Sequence, residues 1–205
     1  MIKNVLFDMG NVLMRWDPAL FVRRCGYTGE DAELLRREVY GNVDWVMLDR
    51  GVLTDAEAAE RIRRRVPERL RDAVGTLVSG WDDEPLQVPG MEDLVRELSE
   101  KGCGLYLLTN CGPRHREYWP KFPVSRYFGD RIMRSSDWKL LKPDPAFYEK
   151  ALDMFSLDRR ECVFIDDNPA NVEAALRLGL EGLVFFNDAA LLRRSLRALG
   201  LDFLK

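Results

Sequence analysis

The sequence predicts an α/β fold: a doubly wound, Rossmann-like parallel sheet with a block of helices inserted after its first strand. Three observations carry that prediction. Short apolar runs alternate with helix-length amphipathic stretches in residues 3–8 and 89–186. These runs are continuous rather than alternating, which marks strands covered on both faces, the condition of a parallel sheet. Residues 15–88 break the rhythm, showing helical patterns and no buried-strand run.

The predicted strands are Asn4-Val5-Leu6-Phe7, Gly104-Leu105-Tyr106-Leu107-Leu108, Cys162-Val163-Phe164-Ile165 and Leu183-Val184-Phe185-Phe186. Helices are expected at about 90–101, 144–154, 169–178 and 188–199. Pro89-Gly90, Asp144-Pro145 and Asn168-Pro169 open the first three, since proline suits a first helical turn, whose N–H needs no partner. Strand and helix in alternation build a sheet with helices on both faces. Between the first and second strands, helices are expected near 17–24, 30–39, 43–50, 54–65 and 67–80. Thr54 with Glu57 reads as a capping box. Glu57 with Arg61, and Glu60 with Arg64, read as i,i+4 ion pairs. The division expected is therefore a core of 1–14 and 89–205 around a helical insertion, 15–88.

Composition excludes some classes of partner. The chain of 205 residues has 31 basic and 34 acidic side chains, net −3, which argues against a bulk polyanion ligand. The run Arg61-Ile62-Arg63-Arg64-Arg65 reads as a solvated helix face, because residues 15–88 balance 12 basic residues with 15 acidic ones. No apolar stretch approaches the roughly 20 residues of a membrane span, and Asp8 interrupts the N-terminal hydrophobes too early for a signal peptide. Cys25, Cys103, Cys111 and Cys162 show no paired spacing, which suits a reducing, cytoplasmic setting. Neither a nucleic acid nor a membrane is expected as partner, and a monomer or homodimer is expected.

Chemistry concentrates where the runs end. The first stops at Asp8, the second at Thr109-Asn110 and the third at Asp166-Asp167. In open parallel sheets ligands sit beyond the carboxyl ends of the strands, near a topological switch point, so the sheet gathers these groups at one edge. Lys142, in Lys142-Pro143-Asp144-Pro145, precedes a helix start nearby. Singly each group has a plain reading as a turn residue, a cap or a surface lysine. Together they make a phosphoryl-transfer site. Carboxylates without thiolates or histidines suit the hard cation Mg²⁺, held by Asp8 and one or both of Asp166 and Asp167. The cation offsets the repulsion between Asp8 and a phosphate, so that the carboxylate can attack. Thr109, Asn110 and backbone N–H groups are expected to hold phosphate oxygens, with Lys142 adding charge stabilisation.

These residues resemble the haloacid dehalogenase-like (HAD) superfamily. Phe7-Asp8-Met9-Gly10-Asn11-Val12-Leu13 is similar to its first motif, Leu107-Leu108-Thr109-Asn110 to its second, Lys139 to Pro145 to its third, and Phe164-Ile165-Asp166-Asp167-Asn168 to its fourth. The resemblance implies a HAD core with a small helical cap at 15–88, a nucleophile at Asp8 and a phosphate-binding lysine at Lys142. It also implies a metal held by Asp8, the Gly10 backbone carbonyl, Asp166 and Asp167, and a small phosphorylated metabolite as substrate. One position departs: HAD phosphatases usually carry a second aspartate two residues after the nucleophile, and here Gly10 stands there. The Gly-Asn form, with Tyr118-Trp119-Pro120 and Asn171-Val172-Glu173, resembles a subgroup that includes glucose 1-phosphate phosphatases. A site lacking that acid is expected to prefer anomeric or aryl phosphates, and Asp17 is a candidate substitute acid, with a helix N-cap as its plain alternative.

Other residues are weighed on the same terms. His115, the only histidine, is expected to be a surface or structural residue rather than an acid. Trp16, Trp45 and Trp138 are expected in core packing, with stacking on a sugar in a cleft as the sharper alternative. Cys111 has no evident base beside it. Two other functions compete: a metal-free 2-haloacid dehalogenase using the same aspartate, which the acid pair opposes, and a catalytically weak domain that binds a phosphometabolite or a protein.

Overall fold

The structure is a computed structural model in which residues 1–82 and 86–202 are described, so 83–85 of the expected insertion and 203–205 of the expected core lie outside it. Five strands form one all-parallel sheet: β1 (Asn4–Phe7), β2 (Gly104–Thr109), β3 (Ile132–Arg134), β4 (Cys162–Asp166) and β5 (Glu181–Val184), in the order β3-β2-β1-β4-β5. The chain winds outward from β1 through β2 to β3, then crosses back to β4 on the other side of β1. The reversal makes the β1/β4 boundary the switch point. Register decides what meets there. Phe7 lies opposite both Leu107 and Ile165, so Asp8 and Asp166 leave the sheet side by side. The Asp8 N–H extends the ladder to the Ile165 carbonyl, 2.8 Å away.

One sheet face packs on α6 (Met91–Glu100) and α11 (Ala189–Ala198) through residues such as Phe7, Leu94, Leu98 and Leu196. The other packs on α9 (Pro145–Met154) and α10 (Pro169–Arg177) through Leu6, Phe147, Tyr148 and Phe164. Caps start these helices where the sequence places them. Asp144 accepts from the Ala146 N–H, Asn168 from Ala170 and Asp188 from Leu191, with Pro145 and Pro169 at the first turns. Two short helices, α7 (His115–Tyr118) and α8 (Ser135–Trp138), follow β2 and β3.

Residues 18–79 form five helices, α1 (Pro18–Arg24), α2 (Gly29–Tyr40), α3 (Val43–Asp49), α4 (Asp55–Arg63) and α5 (Arg71–Ser79). Leu35, Val39, Ile62, Leu70 and Val74 make an apolar cluster of their own there, all fully buried. Trp16 and Trp81 pack against both this cluster and that of the sheet, so they stand at the junction.

Three local expectations change. The last strand runs two residues earlier than its apolar run: Glu181–Val184 is an edge strand, exposed at Glu181 and half-buried from Gly182 on, and Phe186 is exposed. Strand β3 has only three residues, too short to stand out as an apolar run. The Thr54–Glu57 capping box forms, but it occupies Glu57, and Arg61 reaches Asp44 at 3.6 Å instead. Arg64 does pair with Glu60, and Arg65 with Glu38 and Asp44. Acids thus take up much of the arginine run.

Candidate active site

Four chain segments converge at the carboxyl edge of β1 and β4. Lys142 is 5% exposed, yet its Nζ lies 2.6 Å from Asp8 Oδ1 and 2.6 Å from Asp166 Oδ2. A buried ammonium is tolerated only with such partners. Accordingly the two carboxylates hold its pKa above the ordinary value against the opposing effect of burial. Burial raises the Asp8 carboxyl above its usual range; Lys142 pulls it back and Asp166 pushes it up. Asp166 is fully buried and fully engaged: besides Lys142 it accepts from the Asn168 N–H at 2.8 Å and from Asn171 Nδ2 at 3.0 Å. Asn171 is itself held through its carbonyl by the Tyr148 hydroxyl. Asp8, Asp166 and Asp167 each offer an oxygen, all within 4.8 Å of one another.

Neighbours fix these groups in place. Asn11, at φ 54°, donates from Nδ2 to Asp167 at 3.0 Å and accepts the Trp16 N–H on Oδ1, tying the loop after β1 to the acid pair. Asn110 clamps the Lys142 loop reciprocally, donating to the Lys142 carbonyl at 3.0 Å and accepting its N–H at 2.9 Å. Asn11 and Asn171 were not singled out from the sequence as site residues. Their signals were position and resemblance: Asn11 stands three residues after Asp8 in the Gly-Asn form, and Asn171 opens the Asn171-Val172-Glu173 stretch after the acid pair.

Above this floor lies a cavity of about 330 Å³, lined by Asp8, Gly10, Lys142 and Asp167 below and by Trp16, Trp45, Trp81 and Tyr118 on its walls. Trp16 meets Trp81 edge to face at 4.8 Å and Trp45 at 5.3 Å. Trp138 stands elsewhere, 43% exposed beneath Lys150 Nζ. Arg114 also lines the cavity; Asp82 holds its Nη2 at 2.9 Å, and its buried Nη1 has no partner. Thr109 is buried at the end of β2, its hydroxyl 3.5 Å from the Asn110 carbonyl, and is not among the lining residues.

Two residues take the plainer of their alternatives. Asp17 does not line the cavity and takes its plain alternative, a helix N-cap. Its carboxylate caps α1 at the Leu20 N–H and meets Arg15 at 2.8 Å; burial acts to raise its pKa, and these partners together outweigh it and keep the pKa below the ordinary value. His115 takes the structural of its two expected roles: it is fully buried, its Nδ1 accepting from Arg134 Nε at 2.9 Å and its ring stacked on Trp119.

An aspartate at a strand end, a buried lysine and a cluster of acids thus lie together at the switch point of a parallel sheet. Over residues 2–179 the chain matches the haloacid dehalogenase-like hydrolases, and it belongs to that family. It is 27% identical over 162 residues to flavin mononucleotide hydrolase 1 of Arabidopsis thaliana, across 77% of this chain and 62% of that protein. This chain therefore spans less than two thirds of that relative's length. With the phosphorylated carbohydrates phosphatase of Thermotoga maritima the identity is 26%, across 88% of this chain and 83% of that protein. Among solved structures, a HAD family enzyme of Bacteroides thetaiotaomicron in complex with magnesium and inorganic phosphate superposes with a TM-score of 0.66 at 23% identity, covering 90% of this chain and 94% of that one. Dehalogenases share the fold as well. No described helix is long and apolar enough to cross a membrane.

Proposed function

We propose that this protein is a Mg²⁺-dependent phosphatase acting on a small phosphorylated metabolite through an aspartyl phosphate on Asp8. The observation that carries the reading is the placement of Asp8: on the floor of the cavity, 2.6 Å from a buried lysine and within the three-acid cluster. An all-carboxylate donor set of this size fits a hard cation that binds through few carboxylates and keeps its waters. Asp8, Asp166, Asp167 and the Gly10 carbonyl are the donors proposed. When bound, the cation neutralises phosphate charge that Asp8 would otherwise repel. That requirement favours phosphate over a haloacid, whose displacement needs no metal.

In the reaction proposed, an Asp8 carboxylate oxygen attacks phosphorus in line with the ester oxygen. Lys142 follows the charge on the transferring group, at no cost of reorganisation because Asp8 and Asp166 already hold it. Asn110, which lines the cavity at the end of β2, offers the proposed phosphate-binding side, with buried Thr109 behind it. Asn168 and Asn171 keep Asp166 aimed, and Asn11 keeps Asp167 aimed. The walls speak to the rest of the substrate. Indole faces at Trp16, Trp45 and Trp81 suit a ring, whether aromatic or the C–H face of a sugar, so a sugar phosphate such as glucose 1-phosphate is a fitting substrate. Residues 15–88, with their own apolar cluster, serve as a cap over the cavity. Free cysteines throughout the described residues accord with a reducing compartment such as the cytoplasm.

Hydrolysis of 4-nitrophenyl phosphate with and without Mg²⁺, in wild type and Asp8→Asn, tests the reading. Wild-type turnover should require Mg²⁺ and fall by more than about 10³-fold in the variant, which lacks a nucleophile. Turnover that survives the substitution would remove Asp8 from the mechanism.

A further inference from the structure

An ester oxygen leaving phosphorus as an alkoxide needs a proton, and the strand end that carries Asp8 supplies none. Position 10 has room for an acid: a Cβ there would sit 3.8 Å from Asp8 Oδ2, an ordinary contact, yet the residue is glycine. The other titratable groups on the cavity wall serve poorly. Burial pushes the Cys111 thiol and the Tyr118 hydroxyl well above their usual values. Asp55 is engaged by the Ser79 hydroxyl and by Arg114 at 3.7 Å. His115, the only histidine, is buried against Trp119, and Arg134 occupies its Nδ1.

Asp49 remains, at the last residue of α3. It lines the same cavity as Asp8 and Gly10, and it stands outside the three-acid cluster. The core fixes its position at several points. Ser135 Oγ donates to the Asp49 carbonyl at 2.5 Å while accepting the Cys111 N–H at 2.8 Å. The Gly112 N–H donates to the Asp49 carboxylate. Two residues on, Lys139 Nζ donates to the Gly51 carbonyl. Gly51 lies so close to α8 that a Cβ there would fall 2.6 Å from the Ser136 carbonyl oxygen. A carboxyl anchored in this way in the wall of the cavity that Asp8 also lines, on a segment separate from the sheet, can take the part that an acid at position 10 would play.

We propose that Asp49 is the catalytic acid and base of this site, supplied by the inserted helices in place of the strand end. In the first step an Asp8 oxygen bonds to phosphorus. The bond from phosphorus to the ester oxygen breaks, and the departing oxygen keeps the electron pair and takes the Asp49 proton. In the second, the Asp49 carboxylate removes a proton from water whose oxygen attacks phosphorus. The bond to Asp8 breaks, inorganic phosphate leaves and Asp49 is protonated again. Burial supports the role, raising this carboxyl to about 7, with Asp8's charge adding to the rise and the Gly112 N–H opposing it.

The inference rests on the phosphatase reading, and Asp49→Asn separates the two. Asparagine keeps the shape and can still accept the Gly112 N–H, but it has no proton to exchange. Values of kcat/KM for 4-nitrophenyl phosphate, whose leaving group needs no protonation, are compared with those for benzyl phosphate, whose leaving group does. General acid catalysis is worth about 10²–10⁴-fold, so the variant should lose at least about 10²-fold on the benzyl ester and less than about tenfold on the nitrophenyl ester. The leaving-group preference expected from Gly10 would then be weak in wild type and strong in the variant. A pre-steady-state burst of nitrophenolate in the variant would report the missing base in the second step. Equal losses on both esters, or no loss on either, would overturn the assignment of Asp49 while leaving Asp8 intact. A wild type inactive on both esters would overturn the phosphatase reading and this inference together.

Discussion

Lys142 touches two carboxylates at once, and the resulting triad carries a surplus of negative charge in a buried place. Removing charges from water costs several kcal/mol each and is offset only by close partners, which explains why Asn168 and Asn171 also converge on Asp166. His115 illustrates the opposite solution, a titratable group buried without a charge. Burial, then Arg134 and Arg116, lower its pKa from 6.5 to about 3. Below 6.5 the unfolded chain takes up a proton that the native protein refuses, so stability falls as pH drops toward 3. Complete titration of one such group gives a slope of about 1.4 kcal/mol per pH unit within that window and none below it. Urea unfolding of His115→Gln across the window should show a flatter acid limb than wild type, whatever the variant's stability at neutral pH. Identical slopes would assign the acid sensitivity to other groups.

At the level of elements, the turn from Leu48 to Gly51 sets the height of α3 over the sheet edge. Gly51 has φ 67° and no space for a Cβ. Backbone strain of this kind costs about 1–3 kcal/mol for a non-glycine residue. Gly51→Ala should therefore lower thermal stability by that order and reduce turnover further than the lost stability explains, because Asp49 moves with the turn. A variant with wild-type kcat would show that this contact does not position the site. Here the limits of sequence reading have physical causes. Asp144-Pro145 and Asn168-Pro169 declare their helices because capping is local. Nothing local marks Gly51, since its neighbours at Ser136 and Lys139 are 85 or more positions away along the chain. Nothing local marks Asp49 for the same reason. Glu57 and Arg61 had suitable spacing for a pair, but a capping box and Asp44 competed for them.

Across the whole molecule, the inserted helices join the core through Trp16, Trp81 and a buried anion. Asp82 is 2% exposed and receives Arg114 Nη2 at 2.9 Å and Lys121 Nζ at 2.8 Å. Hydrogen bonds to charged groups are worth about 1.5–3 kcal/mol each when buried, and partial exposure of both cations lowers that. Asp82→Ala should shift the urea midpoint by the equivalent of about 1–3 kcal/mol. Glu173→Ala, which removes an exposed i,i+4 pair with Arg177, should leave it within error. Equal midpoints for the two variants would show that Asp82 does not secure the junction.

The continuous apolar runs, the capping signals and the residues ending each run were enough to specify a parallel sheet, its flanking helices and the gathering of Asp8, Asp166 and Lys142 at one edge. Each of those depends on periodicity or on neighbours a few residues apart, which a chain displays before it folds. Strand order, the bridging of two acids by one lysine, the clamps at Asn11, Asn110 and Asn171, and the meeting of Asp49 and Asp8 in one cavity depend on packing between distant segments. No local pattern encodes such meetings, because register and burial arise only when the sheet and the inserted helices close on one another.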